Sequence, residues 1–119
     1  MDERKTYRRL AEHAAASEKA LERYLAAEVR ARGGECLKYF NATATGWPDR
    51  IAMMPGGVVA WVELKSKGKH PTPLQSVRLN RLREMYFTAV VADCPEDIDR
   101  LVEMMAAESR RLTGKEAEE

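Results

Sequence analysis

Apolar residues recur at helical spacing in three stretches of the chain and gather into short runs between them. Ser17 followed by Glu18 reads as an N-cap with a carboxylate in the first turn, and Gly33-Gly34 reads as a stop. The stripe Leu21, Leu25, Val29 between them predicts a helix of about four turns. Residues 1–16 are also helix-compatible, and the pattern leaves open whether they form a packed extension or a loose arm. Glu35 to Phe40 suits a strand and Asn41 to Trp47 a polar loop. Asp49 to Met54 suits a second strand, and Pro55-Gly56-Gly57 is a turn before the apolar run Val58 to Leu64, the pattern of a hairpin.

Thr72-Pro73-Leu74-Gln75 has the form of a capping box with proline at the first helical position. The helix it opens is expected to reach about Tyr86, with Leu74, Val77, Leu82 and Met85 inward. Phe87 to Ala92 reads as a strand. Pro95 then opens a final helix with Ile98, Leu101, Val102 and Met105 inward and Met104 pointing elsewhere, and a charged, frayed tail follows from about Leu112. The order α-β-β-β-α-β-α predicts an α/β fold, a small mixed sheet flanked by helices.

With 119 residues and 13.5 kDa the chain is sized for one compact domain. No apolar run approaches the roughly 20 residues needed to cross a bilayer, and the N-terminus lacks the apolar stretch of a signal peptide, so a cytoplasmic, non-membrane protein is expected. Cys36 and Cys94 form no CxxC pair, and His13 and His70 are isolated, which argues against a zinc site and an obligatory disulfide. The net charge of +1 hides an asymmetry: from Lys65 to Arg83 there are six basic residues and no acidic ones. That segment could attract a polyanion.

The chemistry concentrates in Gly46-Trp47-Pro48-Asp49 and Glu63-Leu64-Lys65. Residues two apart in a strand share a face, so Glu63 and Lys65 project together while Val62 and Leu64 face the core. The short turn of the hairpin brings Asp49 level with Glu63. Two carboxylates and an ammonium then converge, a set suited to Mg2+, which can polarise a phosphate and acidify water while the lysine offsets developing charge. The plain alternative is a turn aspartate beside a solvated strand end, since Pro-Asp and ExK are each common.

Taken together, Gly46-Trp47-Pro48-Asp49-Arg50, Val62-Glu63-Leu64-Lys65 and Pro73-Leu74-Gln75 resemble the PD-(D/E)XK nuclease superfamily, most closely its VRR-NUC (virus-type replication-repair nuclease) family. The resemblance spans roughly Glu18 to Asp93, including Gly33-Gly34 and Lys38. It implies a restriction-endonuclease-like core at residues 18–108, between an N-terminal extension or arm at 1–17 and a charged tail at 109–119. It further implies that Asp49 and Glu63 hold Mg2+, with Mn2+ able to substitute, that the Leu64 carbonyl is a further ligand, and that Lys65 serves the attacking water.

The family also uses a glutamate on the first helix. Glu22 shares the stripe of Leu25 and Val29 and is favoured over Glu18, one turn earlier on the same face; both could instead be solvated charges paired with Lys19 or Arg23. Gln75 has two jobs open, an active-site amide implied by the family and the capping bond back to the Thr72 amide. Lys67, Lys69, His70, Arg78 and Arg81 are candidate DNA contacts, or else a solvated face; His70 reads as polar surface rather than a base, and Trp47 and Trp61 as packing residues. The resemblance implies a DNA endonuclease of phage type, acting on branched DNA such as a Holliday junction or flap and working as a homodimer. A non-catalytic DNA-binding module and an RNA-directed nuclease are the competing readings.

Overall fold

A computed structural model describes residues 3–13 and 17–115. The elements are α1 (Glu3–Glu12), α2 (Glu18–Ala31), β1 (Glu35–Lys38), β2 (Arg50–Met54), β3 (Val58–Leu64), α3 (Pro73–Glu84), β4 (Thr88–Ala92) and α4 (Pro95–Thr113). The sheet has the order β1-β2-β3-β4, antiparallel except for the β3-β4 pair, which α3 joins as a crossover. The mixed α/β class follows the sequence pattern, and no helix among the described residues is long and apolar enough to cross a membrane.

Local rules account for most element ends. The Ser17 hydroxyl accepts from the Ala20 amide at 3.4 Å and starts α2. Gly34 is required by close approach, because a Cβ there would lie 2.2 Å from the Met53 carbonyl oxygen. β1 is shorter than Glu35 to Phe40: the Tyr39 amide still donates to the Asp49 carbonyl at 2.8 Å, after which Phe40 turns out to solvent.

One face of the sheet carries the main core. Ala52, Met54, Ala60, Val62 and Leu64 meet Leu21, Leu25 and Val29 of α2 and Ile98, Val102 and Met105 of α4. The stripes expected on α2 and α4 are therefore the buried ones, and Met104 is 50% exposed. α1 packs on this side as a docked helix. Ala11 is buried, Arg4 pairs with Glu28, and Arg8 joins Tyr24 of α2 to Asp99 of α4. α4 also continues through the segment expected to be tail, as far as Thr113. Ser109 donates to the Pro55 carbonyl at 2.6 Å, and Gly114 closes the helix with a left-handed backbone. Residues 116–119, the rest of the expected tail, lie outside the described residues.

The opposite face holds a smaller cluster of Leu79, Leu82 and Ala89, flanked by Trp47, Trp61 and Val91. Here the expectation for α3 is corrected. Leu82 is buried, but Leu74, Val77 and Met85 are 42%, 59% and 41% exposed. The inward stripe is instead Gln75, Leu79, Leu82, spaced i, i+4, i+7. Apolar residues lie all around this helix, so their spacing does not identify its buried side. Leu74 lies against the Gly46 loop, and Met85 is the C-cap, followed by Tyr86 with a left-handed φ of 67°.

Candidate active site

The site forms where β2 begins and β3 ends. The last antiparallel pair is Arg50 with Val62, so the next position in the register sets Asp49 opposite Glu63. Alternation on β3 sends Trp61 and Glu63 toward α3 and Val62 and Leu64 into the main core, as the sequence pattern requires. Gly46 lets the preceding loop descend onto α3: its φ is +91°, and a Cβ there would meet the Leu74 Cγ at 2.6 Å. Arg78 fastens the same loop, donating to the Thr45 carbonyl at 3.0 Å with its guanidinium 5.0 Å from the Trp47 ring centroid. Trp47 and Tyr39 both pack on Trp61, so the two tryptophans are packing residues.

Glu63 is only 4% exposed, and its Oε2 lies 3.6 Å from the Lys65 ammonium and accepts from the Gln75 amide at 3.3 Å. Burial, reinforced by the charge of Asp49 and opposed by Lys65, pushes the Glu63 carboxyl up to about 7. Gln75 makes the capping bond and also faces Glu63. Its Oε1 accepts from the Thr72 amide at 2.9 Å, and that capping bond turns its NH2 toward Glu63.

Glu22 approaches from α2 and meets Arg50, whose Nη2 is 2.8 Å from Glu22 Oε2 and whose Nη1 is 3.3 Å from Asp49 Oδ2. Glu18, an exposed residue one turn earlier, adds its charge to the field at Glu63. The sequence pattern left Arg50 without a role, although it contained a signal: Arg50, Ala52 and Met54 share one face of β2, so a charge lies on a core-facing row.

The donor set suits a hard divalent cation. Asp49, Glu63 and Glu22 offer carboxylate oxygens, and Asp49 Oδ1 is buried with no hydrogen-bond partner, an oxygen for which a cation would compensate. A tighter cluster among the described residues is Asp93, Cys94 and Asp97. Its carboxylates are engaged internally, with Gly68 and Asp93 amides and with Arg100.

The basic candidates divide into two groups. Lys67, Lys69 and His70 are exposed on the loop that follows Lys65. Arg78 is half-buried over Trp47, and Arg81 is exposed and pairs with Glu84 farther along α3.

No family model matches the chain. A protein of Acyrthosiphon pisum secondary endosymbiont phage 1, named "Putative nuclease p44", is 36% identical over 76 residues, which cover 64% of this chain and 82% of the phage protein. A solved structure named "VRR_NUC domain" superposes with a TM-score of 0.65 at 28% identity, covering 74% of this chain and 97% of that one. A second, "VRR_NUC domain protein", has a TM-score of 0.55 at 18% identity, covers 81% and 89%, and shares the fold.

Proposed function

The chain belongs to the VRR-NUC family and is a nuclease, and from that premise we propose that it is a Mg2+-dependent endonuclease of branched DNA, either a Holliday junction or a flap. The observation that supports this reading is the meeting of Asp49, Glu63, Lys65 and Gln75 at one end of the sheet, with Glu22 joined to them through Arg50. In the proposed site Asp49, Glu63 and the Leu64 carbonyl hold the cation and Glu22 supports it. Mn2+ substitutes because the donors are hard oxygens. The bound cation supplies charge neutralisation at the scissile phosphate and acidifies a nearby water.

The chain's own residues do the rest. Lys65 orients the attacking water and offsets the charge that develops on the phosphate oxygens. Glu63 must be ionised to act as a ligand, and Lys65 beside it favours that form. Gln75 fixes the Glu63 carboxylate from the α3 side. Lys67, Lys69 and His70, with Arg78 and Arg81 along α3, contact DNA phosphates without reading sequence.

The deciding experiment incubates labelled linear, flapped and four-way DNA with the protein in Mg2+ or EDTA. The reading requires cutting of a branched substrate in Mg2+ alone. It fails if folded protein cuts none of them, and an RNA substrate cut in preference to DNA supports the RNA-directed alternative. Symmetric cutting of a junction needs two sites in fixed relation, so we further propose a homodimer. Exposed Met104, in a groove with Val58, Thr88 and Met105 beside the edge strand β4, is material for its interface. Light scattering should give twice 13.5 kDa; a mass near 13.5 kDa with and without junction DNA excludes the dimer.

A further inference from the structure

Arg50 stands where a core residue is expected. It shares its buried face of β2 with Ala52 and Met54, and its side chain is 8% exposed. A buried guanidinium persists only where its charge is matched. Its partners are Glu22 of α2 at 2.8 Å, the Asp49 carboxylate at 3.3 Å and the Asp49 carbonyl at 2.9 Å. Two buried polar atoms beside these bonds have no partner, Arg50 Nε and Asp49 Oδ1. An ion pair serving stability alone would satisfy such atoms, because each one left unpaired is costly. The guanidinium instead directs its bonds to the carboxylate of Glu22 on α2 and to that of Asp49, its neighbour just before β2, both in the proposed metal site.

We propose that Arg50 is a positioning residue, the resident counter-ion of the site, which ties Glu22 to Asp49 and shares their negative charge with the divalent cation. This rests on the metal-dependent reading above. In ionised form Glu22, Asp49 and Glu63 face Arg50 and Lys65, three negative charges against two positive, and removing Arg50 leaves three against one. The cation therefore competes with Arg50 for the same carboxylates, and its affinity is held down. In return, the spacing of Glu22 and Asp49 is set before the cation arrives. Lysine cannot copy this, since a compact ammonium lacks the planar fork that reaches two carboxylates at once.

The test compares the wild-type chain with Arg50→Met, Arg50→Lys and Glu22→Gln. Mn2+ binding is measured by calorimetry without DNA, alongside thermal unfolding with and without Mn2+ and cleavage at saturating Mn2+. Arg50→Met should unfold at a lower temperature than wild type without metal. It should bind Mn2+ at least ~10-fold more tightly, the effect of losing one positive charge at ion-pair range, and gain more thermal stability from the metal. Its cleavage should nevertheless fall at least ~10-fold, because the two carboxylates lose their fixed spacing. Arg50→Lys should bind Mn2+ much as wild type does yet cleave more slowly.

A folded Arg50→Met chain with unchanged or weaker Mn2+ affinity overturns the proposal and leaves Arg50 a structural ion pair. If Arg50→Met does not fold, Arg50→Lys and Glu22→Gln decide. Slower cleavage by the first and weaker Mn2+ binding by the second support the proposal, and wild-type behaviour by either overturns it. Absence of any Mn2+ binding to the wild-type chain removes the metal reading itself, and this inference with it.

Discussion

The two faces of the sheet are built to different standards. On the α2 and α4 side, Leu21, Leu25, Val29, Val62, Leu64, Ile98, Val102 and Met105 are each no more than 1% exposed. On the α3 side a thin layer of Leu79, Leu82 and Ala89 leaves Trp47, Trp61 and Val91 partly open, and it ends at Glu63, a buried acid with a displaced pKa. The first face supplies most of the apolar burial, and the candidate site lies across the end of both faces, with Glu63, Lys65 and Gln75 on the α3 side and Arg50 and Glu22 on the α2 side. A long apolar interface on the first face allows the end of the sheet to hold charges that cost stability.

The sharpest way to break this division is at the thin face. Glu63→Gln or Lys65→Ala should reduce cleavage by at least ~10²- to 10³-fold, the usual cost of removing one electrostatic stabiliser, while circular dichroism shows the fold intact. Metal-dependent cutting retained by a pure Glu63→Gln sample would remove Glu63 from the site. On the thick face, Leu25→Ala should cost about 3–4 kcal/mol in denaturant unfolding, whereas Leu79→Ala, in the smaller cluster between α3 and the sheet, should cost about 2. Equal costs would show that the two faces are equally well packed.

Titration gives the next largest effect. The Glu63 carboxyl rises from 4.5 to about 7 in the folded chain, so the fold holds its proton more tightly than the unfolded chain does. Its contribution to stability is complete below pH 4.5 and is lost as pH rises through 7. At 1.36 kcal/mol per pH unit this amounts to about 3 kcal/mol without metal. Glu63→Gln should lack that pH dependence and be the more stable protein above pH 7 in EDTA. A parallel pair of stability curves would show that Glu63 titrates normally. With metal present the slope reverses in binding, since apparent Mg2+ affinity should fall as acid protonates this ligand.

The smallest effect is on DNA affinity. Neutralising Lys67 or Lys69 should lower the slope of log affinity against log salt by about 0.9 for each phosphate no longer paired on duplex DNA, with unrelated sequences affected alike. Neutralising both lysines without changing the slope would show that the loop is solvated surface. The same change at Arg78 should also loosen the Gly46 loop, because that guanidinium is already committed to Thr45 and Trp47.

The sequence alone determined what depends on neighbours along the chain. Caps at Ser17 and Thr72, the glycine stop after α2, the turn after β2 and strand alternation follow from rules that act over a few residues. They fix the hairpin register, which sets Asp49 opposite Glu63 with Lys65 on the same face, so the centre of the site is legible in the order of residues. The tertiary structure decided what depends on residues distant in sequence. Which side of α3 is buried follows from the sheet beneath it. Gln75 could serve its cap and Glu63 together only once the end of β3 lay under the helix, and Glu22 joined the site only because Arg50 reaches from β2 to α2. α1 is helix-compatible by its residues alone; its docking required Tyr24 and Asp99 to come together from α2 and α4. Local propensity fixes the elements, whereas a buried charge finds its partner only when separate elements meet.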